Sequence, residues 1–441
     1  MNSENNQNGF KITEIGLLPE EWDVVKLENL ISKTESVDPQ KKSDATFKYI
    51  DVSSINREFL KISDYKFYIG KNAPSRARKL VKNGDIIFAT VRPTLRRLAI
   101  VEKDFEGEIC STAFCVLRTK ENLLYSKFLF YVLSRNQFID ELGKIQRGAS
   151  YPAVTDRNVK SQKIPLPPLS EQKKIAAVLS AVQEAREKTE AVIAAAKELK
   201  KSLMKYLFTY GPVPVTEAEK VRLKETEIGV VPEEWEIRTV QESVDSIEYG
   251  LSLSIPENED ANGIPILSTA EITKDGQILY NRIRKIKIKR QLTDRLLLKH
   301  GDVMFNWRNS LELIGKTAIF ETNRIINVTY ASFVLRIRCD EIKTHNHFLK
   351  YLFNYYREKG VFLKLARRAV NQANYNKNEI FVLKIPIPSL EIQKQIAINI
   401  KIIDAKIEQE QSKKKSLDQL SKSLLNNLMT GKIRVKHLDI E

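Results

Sequence analysis

The chain has 441 residues, a formal net charge of +16 and 42% hydrophobic residues, enough for two or three domains that each bury a core. It contains no run of 18 apolar residues, and no apolar signal core lies in its Asn-, Gln- and Glu-rich start, so a soluble, cytoplasmic protein is expected rather than a membrane-spanning or secreted one. The basic excess, without a basic amphipathic anchor, points to a nucleic acid more than to a membrane surface. Lysine carried for solubility is the alternative.

Residues 1–9 predict a disordered tail. A first mixed segment, residues 10–167, opens with Glu14-Ile15-Gly16-Leu17-Leu18-Pro19-Glu20-Glu21-Trp22. Within it, Lys82-Asn83-Gly84-Asp85 before Ile86–Thr90 reads as a turn feeding a strand. A further strand is predicted over Phe114–Arg118, then one helix over Lys127–Leu142 capped by Ser126. Cys110, Cys115 and the later Cys339 form no C-x-x-C pair, which suits a reducing compartment.

The block Lys163-Ile164-Pro165-Leu166-Pro167-Pro168-Leu169 runs directly into a long helix predicted over 168–210. Its apolar residues Ile175, Leu179, Val182, Ile193, Leu203 and Leu207 recur with coiled-coil spacing. Pro168 suits its start, and Gly211 its end. Residues 211–226 form a linker.

The pattern then repeats. Glu227-Ile228-Gly229-Val230-Val231-Pro232-Glu233-Glu234-Trp235 opens a second domain, 227–387, in which Lys299-His300-Gly301-Asp302 precedes an apolar strand, Val303–Trp307. A strand over Ser332–Arg338 and a helix over Phe348–Lys359, preceded by Asn346 or His347, follow. Lys384-Ile385-Pro386-Ile387-Pro388-Ser389-Leu390 leads into a second long helix, 388–431, with Ile396, Ile400, Ile403, Ile407, Leu417, Leu424 and Leu428 at seam positions, and a tail over 432–441. The offset drifts only from 213 at Glu14 and Glu227 to 221 at Lys163 and Lys384. The expected fold class is α+β: two similar mixed recognition domains, separated by two long coiled-coil helices, in a pseudo-two-fold repeat.

A helix of about 40 residues spans roughly 60 Å, whereas the 17 residues Tyr210–Thr226 reach at most about 56 Å when extended. Antiparallel pairing of the helices is therefore favoured. Arg186, Thr189, Lys200, Glu410, Lys414 and Ser421 interrupt the seam, and polar residues there can fix register. The alternative is two surface helices that never meet.

Catalytic motifs are absent. There is no phosphate-binding G-x-x-x-x-G-K-[ST] loop, no G-x-G-x-x-G and no Asn/Asp-Pro-Pro-aromatic motif. His345, His347 and Cys339 are more economically surface or capping residues than metal ligands, and Glu198-Leu199-Lys200 reads as a solvated helix face. No catalytic residue, metal ligand or cofactor is assigned to this chain.

Basic residues cluster around each Gly-Asp strand: Arg76, Arg78, Arg92, Arg96 and Arg97 in the first domain, Arg284, Lys287, Lys289, Arg290 and Arg308 in the second. The alternation over Arg282–Lys289 predicts a strand with one basic face, either lying along phosphates or shielding a sheet edge.

The Pro-Glu-Glu-Trp opening, the Gly-Asp strand and above all Ile164–Ala176, repeated at Ile385–Ala397 with Ile392 in place of Glu171, resemble the specificity subunit of type I restriction–modification systems. The resemblance covers Phe10 to about Val435. It implies two target-recognition domains, each reading half of a bipartite double-stranded DNA site, with the helices as a ruler for the gap and a dock for two methyltransferase subunits. S-adenosylmethionine, ATP and Mg would then sit on those and on restriction/motor subunits. The alternatives are a self-sufficient methyltransferase or nuclease with unusual motifs, and a coiled-coil scaffold.

Arg92, Arg96 and Arg97 carry the chemistry to read guanine or grip phosphate, and Asn306, Trp307, Arg308 and Asn309 occupy the corresponding loop. Ser150 and Tyr151, aligned with Asn371 and Gln372, form a turn of the kind family members show there. Arg147, Arg367 and Arg368 just upstream are assigned to phosphate. The stretches Ala45–Lys120 and Gly263–Asp340 differ most, and there the two halves should read different DNA.

Overall fold

The computed structural model describes residues 9–253, 260–288, 294–322, 325–365, 367–369, 372–374 and 376–439; residues 1–8 of the expected tail lie outside them. The chain forms two compact units, residues 1–192 with 410–441, and residues 193–409. Each unit is thus a recognition domain with half of each long helix.

In the first unit, Phe10–Thr13 and Gly16–Pro19 form an antiparallel hairpin, turned by Gly16 at φ 110°, a conformation that favours glycine. Asp23–Lys26 pairs with Lys163–Leu166, so the Ile-Pro block is the strand that closes the domain onto its own beginning. Between them lie two four-stranded sheets. One has the order Leu98–Ile100, Ile86–Ala89, Phe114–Thr119, Ile31–Ser32; the other Lys66–Ile69, Thr46–Ile50, Ile109–Ser111, Ala77–Leu80. Ile86 and Phe88 face the helices while Ile87 and Ala89 face the second sheet. The Gly-Asp strand is apolar at every position because it is buried on both faces.

The single helix predicted over Lys127–Leu142 is two helices, Ser126–Ser134 and Asn136–Ile145, broken at an extended Arg135 (ψ 144°). Continued unbroken from Val132 and Leu133, the apolar stripe would meet Asn136, Gln137 and Asp140. The break re-phases the chain so that Phe138, Ile139 and Leu142 are buried. Ser126 makes no capping bond; Tyr125 holds the N-cap position.

The second unit repeats the plan. Leu223–Thr226 pairs with Gly229–Pro232, and Glu236–Thr239 with Lys384–Ile387. Its sheets are Val244–Tyr249, Val334–Cys339, Val303–Asn306, Thr317–Ile319 and the three-stranded Arg284–Ile286, Ile264–Leu267, Thr329–Tyr330. Among the described residues of the strand expected over Arg282–Lys289, Arg284–Ile286 pairs. The helix Asn346–Glu358 packs on the first of these sheets.

The long helices run Leu169–Tyr210 and Leu390–Met429. In the first unit Ile175 and Leu179 share a core with Leu424, Leu428 and Met429. In the second, Leu203, Met204 and Leu207 share one with Ile396 and Ile400. The beginning of one helix meets the end of the other in both units, so the pairing is antiparallel. Ile193 and Ile407 are buried as well, while Val182, Leu203, Ile403, Leu417 and Leu424 are half-buried. Among the polar interruptions, Arg186 pairs with Asp418 at 2.6 Å and Lys200 with Asp404 at 2.6 Å, while the Thr189 hydroxyl donates to the Ala185 carbonyl at 2.8 Å.

The repeated Gln of the helix starts is a bracket. Gln172 accepts from the Tyr125 N–H and donates to the Leu123 and Pro167 carbonyls. Gln393 does the same with His345, Lys343 and Pro388. The C-terminal segment is docked on the first domain: Gly431 approaches Pro19 so closely that a Cβ would sit 2.2 Å from its ring, Val435 is buried, and Arg434 pairs with Glu171 at 2.7 Å.

Candidate nucleic-acid interface

The repeated Gly-Asp motif aims the segment that follows it. Asp85, 1% exposed, accepts from the Lys82 N–H at 2.8 Å and from both Nε and Nη2 of Arg118 at 2.9 and 2.8 Å. Asp302 takes the same bonds from Lys299 and Arg338. A bidentate pair of this kind fixes direction as well as position, so both strands leave their turns along the same path.

At the far end of the first strand the chain meets the loop that precedes the Ile-Pro block. Val91 and Arg147 both bridge to Ala153, and the Arg92 N–H donates to the Pro152 carbonyl at 2.6 Å. The Arg92 guanidinium lies over the Tyr151 ring at 4.8 Å and donates to the Ser150 carbonyl at 3.2 Å, a cation–π contact that leaves the ring 71% exposed. Gly148, at φ 100°, closes this turn; a Cβ there would sit 2.9 Å from the Tyr151 carbonyl. Arg92 and Arg96 flank Pro93–Leu95 at φ 50° and 54°, left-handed conformations that cost arginine about 1–2 kcal/mol each. Both side chains are exposed, as is that of Arg147.

Arg97 points the other way, donating from Nη1 to the Val52 carbonyl at 2.6 Å, with Nε buried. It fastens the sheet to the segment after Ile50. Arg76 is exposed, and its carbonyl accepts from Thr112 next to Ala113, which in turn receives Thr90. Arg78 is half-buried against Asp38 at 3.6 Å.

The second domain builds the same meeting of segments as a small sheet. Arg308–Asn309 pairs with Gln372–Asn374, which pairs with Arg367–Ala369. Arg367 stands opposite Asn374 as Arg147 stands opposite Ala153. The Arg308 guanidinium lies over Phe333 at 4.7 Å. Trp307 donates from Nε1 to the Ser332 carbonyl at 2.5 Å and packs edge-on against Tyr249 and Phe333. Each domain therefore presents an arginine on an aromatic ring, at non-equivalent positions.

Asn306 is fully buried and donates to the Leu313 carbonyl at 3.2 Å, so its amide holds the loop instead of facing out. Asn309 accepts from the Ser310 N–H. Arg284 is half-buried in its strand, and Lys287 is exposed just beyond it. Lys289, Arg290 and Asn371 lie outside the described residues; Arg367, Arg368 and Gln372 are placed by their backbone strands. Tyr249 and Phe333 were missed by sequence reasoning. Phe333 carried one usable signal, an apolar residue inside the strand expected over Ser332–Arg338, which begins only at Val334; Tyr249 carried none, because only the tertiary fold brings it to Trp307.

Among the described residues no three His, Cys, Asp or Glu side chains are grouped to hold an ion. The His345 and His347 rings stack at 5.8 Å, and burial lowers both pKa values, that of His347 to about 4. Burial pushes the thiols of Cys110, Cys115 and Cys339 up to about 12, the opposite of an activated nucleophile. Among the described residues no helix is long and apolar enough to cross a membrane.

The family model for the type I restriction modification DNA specificity domain matches residues 19–197 and again 232–419. The chain belongs to the specificity subunits of type I restriction–modification systems. It is 26% identical to the MjaVIII specificity subunit of Methanocaldococcus jannaschii, over 96% of this chain and 95% of that one. To the EcoKI specificity subunit of Escherichia coli it is 24% identical, over 73% and 69%. A chain from a solved type I R-M system, studied for complex assembly and conformational transition, superposes with a TM-score of 0.57 at 26% identity, over 94% of this chain and 99% of that one. The S subunit from M. genitalium shares the fold, with a TM-score of 0.57 at 14% identity. As a specificity subunit the chain is a DNA-recognition component rather than an enzyme, and its two recognition domains are the two matched repeats.

Proposed function

We propose that each recognition domain binds one half of a bipartite duplex site through the meeting of the post-Gly-Asp segment with the loop before the Ile-Pro block. The observation that carries this reading is the duplication of that meeting point with different chemistry: Arg92, Arg147, Ser150 and Tyr151 in one domain, Trp307, Arg308, Asn309, Arg367 and Gln372 in the other. Arginine presented on a ring suits bidentate contact with guanine, and amides suit adenine. Arg147 and Arg367 then serve phosphate, with Arg76 and Lys287 adding sequence-independent affinity that falls steeply with salt.

The antiparallel helices hold the two half-sites at a fixed spacing and dock two methyltransferase subunits. S-adenosylmethionine sits on those subunits; ATP and Mg act on restriction/motor subunits of the cytoplasmic complex.

The test uses the chain assembled with its modification subunits. Mapping methylated bases on a randomised duplex library defines both half-sites. Arg308→Ala should then relax readout of one half-site by about 1–3 kcal/mol and leave the other as it was. Equal loss of both halves in a folded variant overturns modular reading.

A further inference from the structure

The recognition domain of the first unit is tied to the helices by a charged clamp at a hairpin tip, whereas in the second unit the domain reaches both helices from a helix of its own, through Lys350 and Tyr351 on Asp404, which pairs with Lys200. A small hairpin, Ile55–Asn56 with Lys61–Ile62, projects from the domain. At its tip Glu58 pairs with Lys414 of the second long helix at 2.6 Å, and Lys414 also pairs with Glu190 of the first long helix at 2.5 Å. Lys61 pairs with Glu187 at 2.7 Å, and Gln183 donates to the Phe59 carbonyl at 3.2 Å. One hairpin thus grips both helices across four residues.

The backbone of the tip is strained to do so. Leu60 sits at φ 53°, a left-handed conformation that a branched side chain adopts only when its surroundings enforce it. The corresponding turn of the second unit uses Gly276 at φ 77°. That turn leans on its own domain: a Cβ on Gly276 would meet Asn354 and the Thr317 carbonyl at 2.7 Å, and the Lys274 carbonyl accepts from Arg357 at 3.1 Å. Its link to a long helix is Lys197–Asp275 at 3.7 Å.

We infer that Glu58, Lys61, Glu187, Glu190 and Lys414 are positioning residues that set the angle of the first recognition domain on the helix pair, and so determine which gap between half-sites is accepted. This rests on the bipartite reading proposed above. An ion-pair network shared among several carboxylates loses less side-chain freedom per pair than isolated bridges do, and directional pairs on both sides of the tip resist rotation. Removing them frees the domain to tilt as a body: Arg57 of the same hairpin still donates to the Leu95 carbonyl at 3.1 Å, so the turn that carries Arg92 and Arg96 moves with the hairpin and keeps its own geometry.

The experiment measures binding by the chain with its modification subunits to duplexes carrying both half-sites at the native gap and at gaps one base pair longer or shorter. Lys414→Glu should lower the preference for the native gap about tenfold, the equivalent of 1.4 kcal/mol, while the penalty for a changed base within either half-site stays as in the wild type. Glu58→Gln, on the exposed tip, should do the same more weakly. The charge-swapped triple variant, Glu58→Lys with Glu190→Lys and Lys414→Glu, should restore the preference. If the wild type selects its gap and Lys414→Glu and Glu58→Gln select it equally well, the clamp has no positioning role. Loss of gap and base discrimination in equal measure overturns it too, as would a wild type indifferent to the gap, which would also remove the bipartite reading.

Discussion

Replacing Glu171 by isoleucine, the residue that the second repeat carries at position 392, tests how the C-terminal segment is held. Glu171 is 2% exposed and accepts three bonds: from Trp22 Nε1 at 3.1 Å and from Arg434 Nε and Nη2 at 2.7 and 3.0 Å. Isoleucine leaves the indole N–H of the fully buried Trp22 without a partner, which costs about 1–3 kcal/mol. The Arg434 bonds are worth about 1.5–3 kcal/mol when one or both partners are charged, but Arg434 keeps Glu21 at 3.0 Å and is part-exposed, so much of that is recovered. Burial of the isoleucine offsets a further part. A net destabilisation of about 2–4 kcal/mol is expected, confined to the first unit. Arg434→Met alone should cost about as much, because it strands a buried carboxylate. The double variant should cost less than the sum, with a coupling of about 1–3 kcal/mol. Hydrogen exchange read by mass spectrometry locates the loss: amides around Leu18–Leu30 and Lys432–Leu438 should open more readily, those of Val303–Asn306 should not. Strict additivity, or equal loosening of both units, would refute the argument that this carboxylate is the anchor.

Two further outcomes follow from single residues. Burial holds His347 at a pKa of about 4, below the ordinary 6.5, so the unfolded chain binds a proton between those values that the folded chain refuses. Stability of the second unit therefore rises with pH from about 4 to 6.5 and is lost on acidification through that window, by about 2–3 kcal/mol once solvent screening of the part-exposed ring is allowed for; His347→Gln should flatten this part of a pH series of urea midpoints, and an unchanged profile would contradict it. Gly148→Ala meets both an unfavourable φ and the Tyr151 carbonyl, so it should cost about 1–2 kcal/mol of first-unit stability and weaken binding of the first half-site about tenfold, with the second half-site read as before; equal weakening of both would contradict it.

What the residues announced and what they concealed divide along physical lines. The two Gly-Asp strands were legible because an Asn/His-Gly-Asp turn before an apolar run is a local signal. The antiparallel helices were legible because their seam is periodic and the linker length limits the alternatives. The break at Arg135 was not, since it is decided by the core that Phe138 and Leu142 must reach. The fate of the arginines was legible only as a cluster. Arg92 and Arg97 are five residues apart and equally basic, yet one lies on an exposed ring and the other fastens Val52. Which way a side chain points in a loop depends on carbonyls far away in sequence. Asn306 makes the same point, as an amide suited to adenine spends itself on Leu313.

The near-verbatim parts of the repeat are brackets rather than contacts. Gln172 and Gln393 each tie three backbone groups, and Asp85 and Asp302 each tie a turn to an arginine. Such buried polar residues are costly to change, by about 1–3 kcal/mol for each unsatisfied group. Exposed residues such as Arg92, Arg96 and Tyr151 sit where substitution costs within about 0.5 kcal/mol. The frame can therefore stay constant while the loops hung on it change their text, and Glu171 against Ile392 shows the limit of that freedom. The first repeat holds the segment after its helix pair through Arg434 and Glu171, whereas in the second Ile392 packs with the apolar core and a Cβ on Gly211 would lie 3.6 Å from Trp235, so the two frames differ in what each must hold.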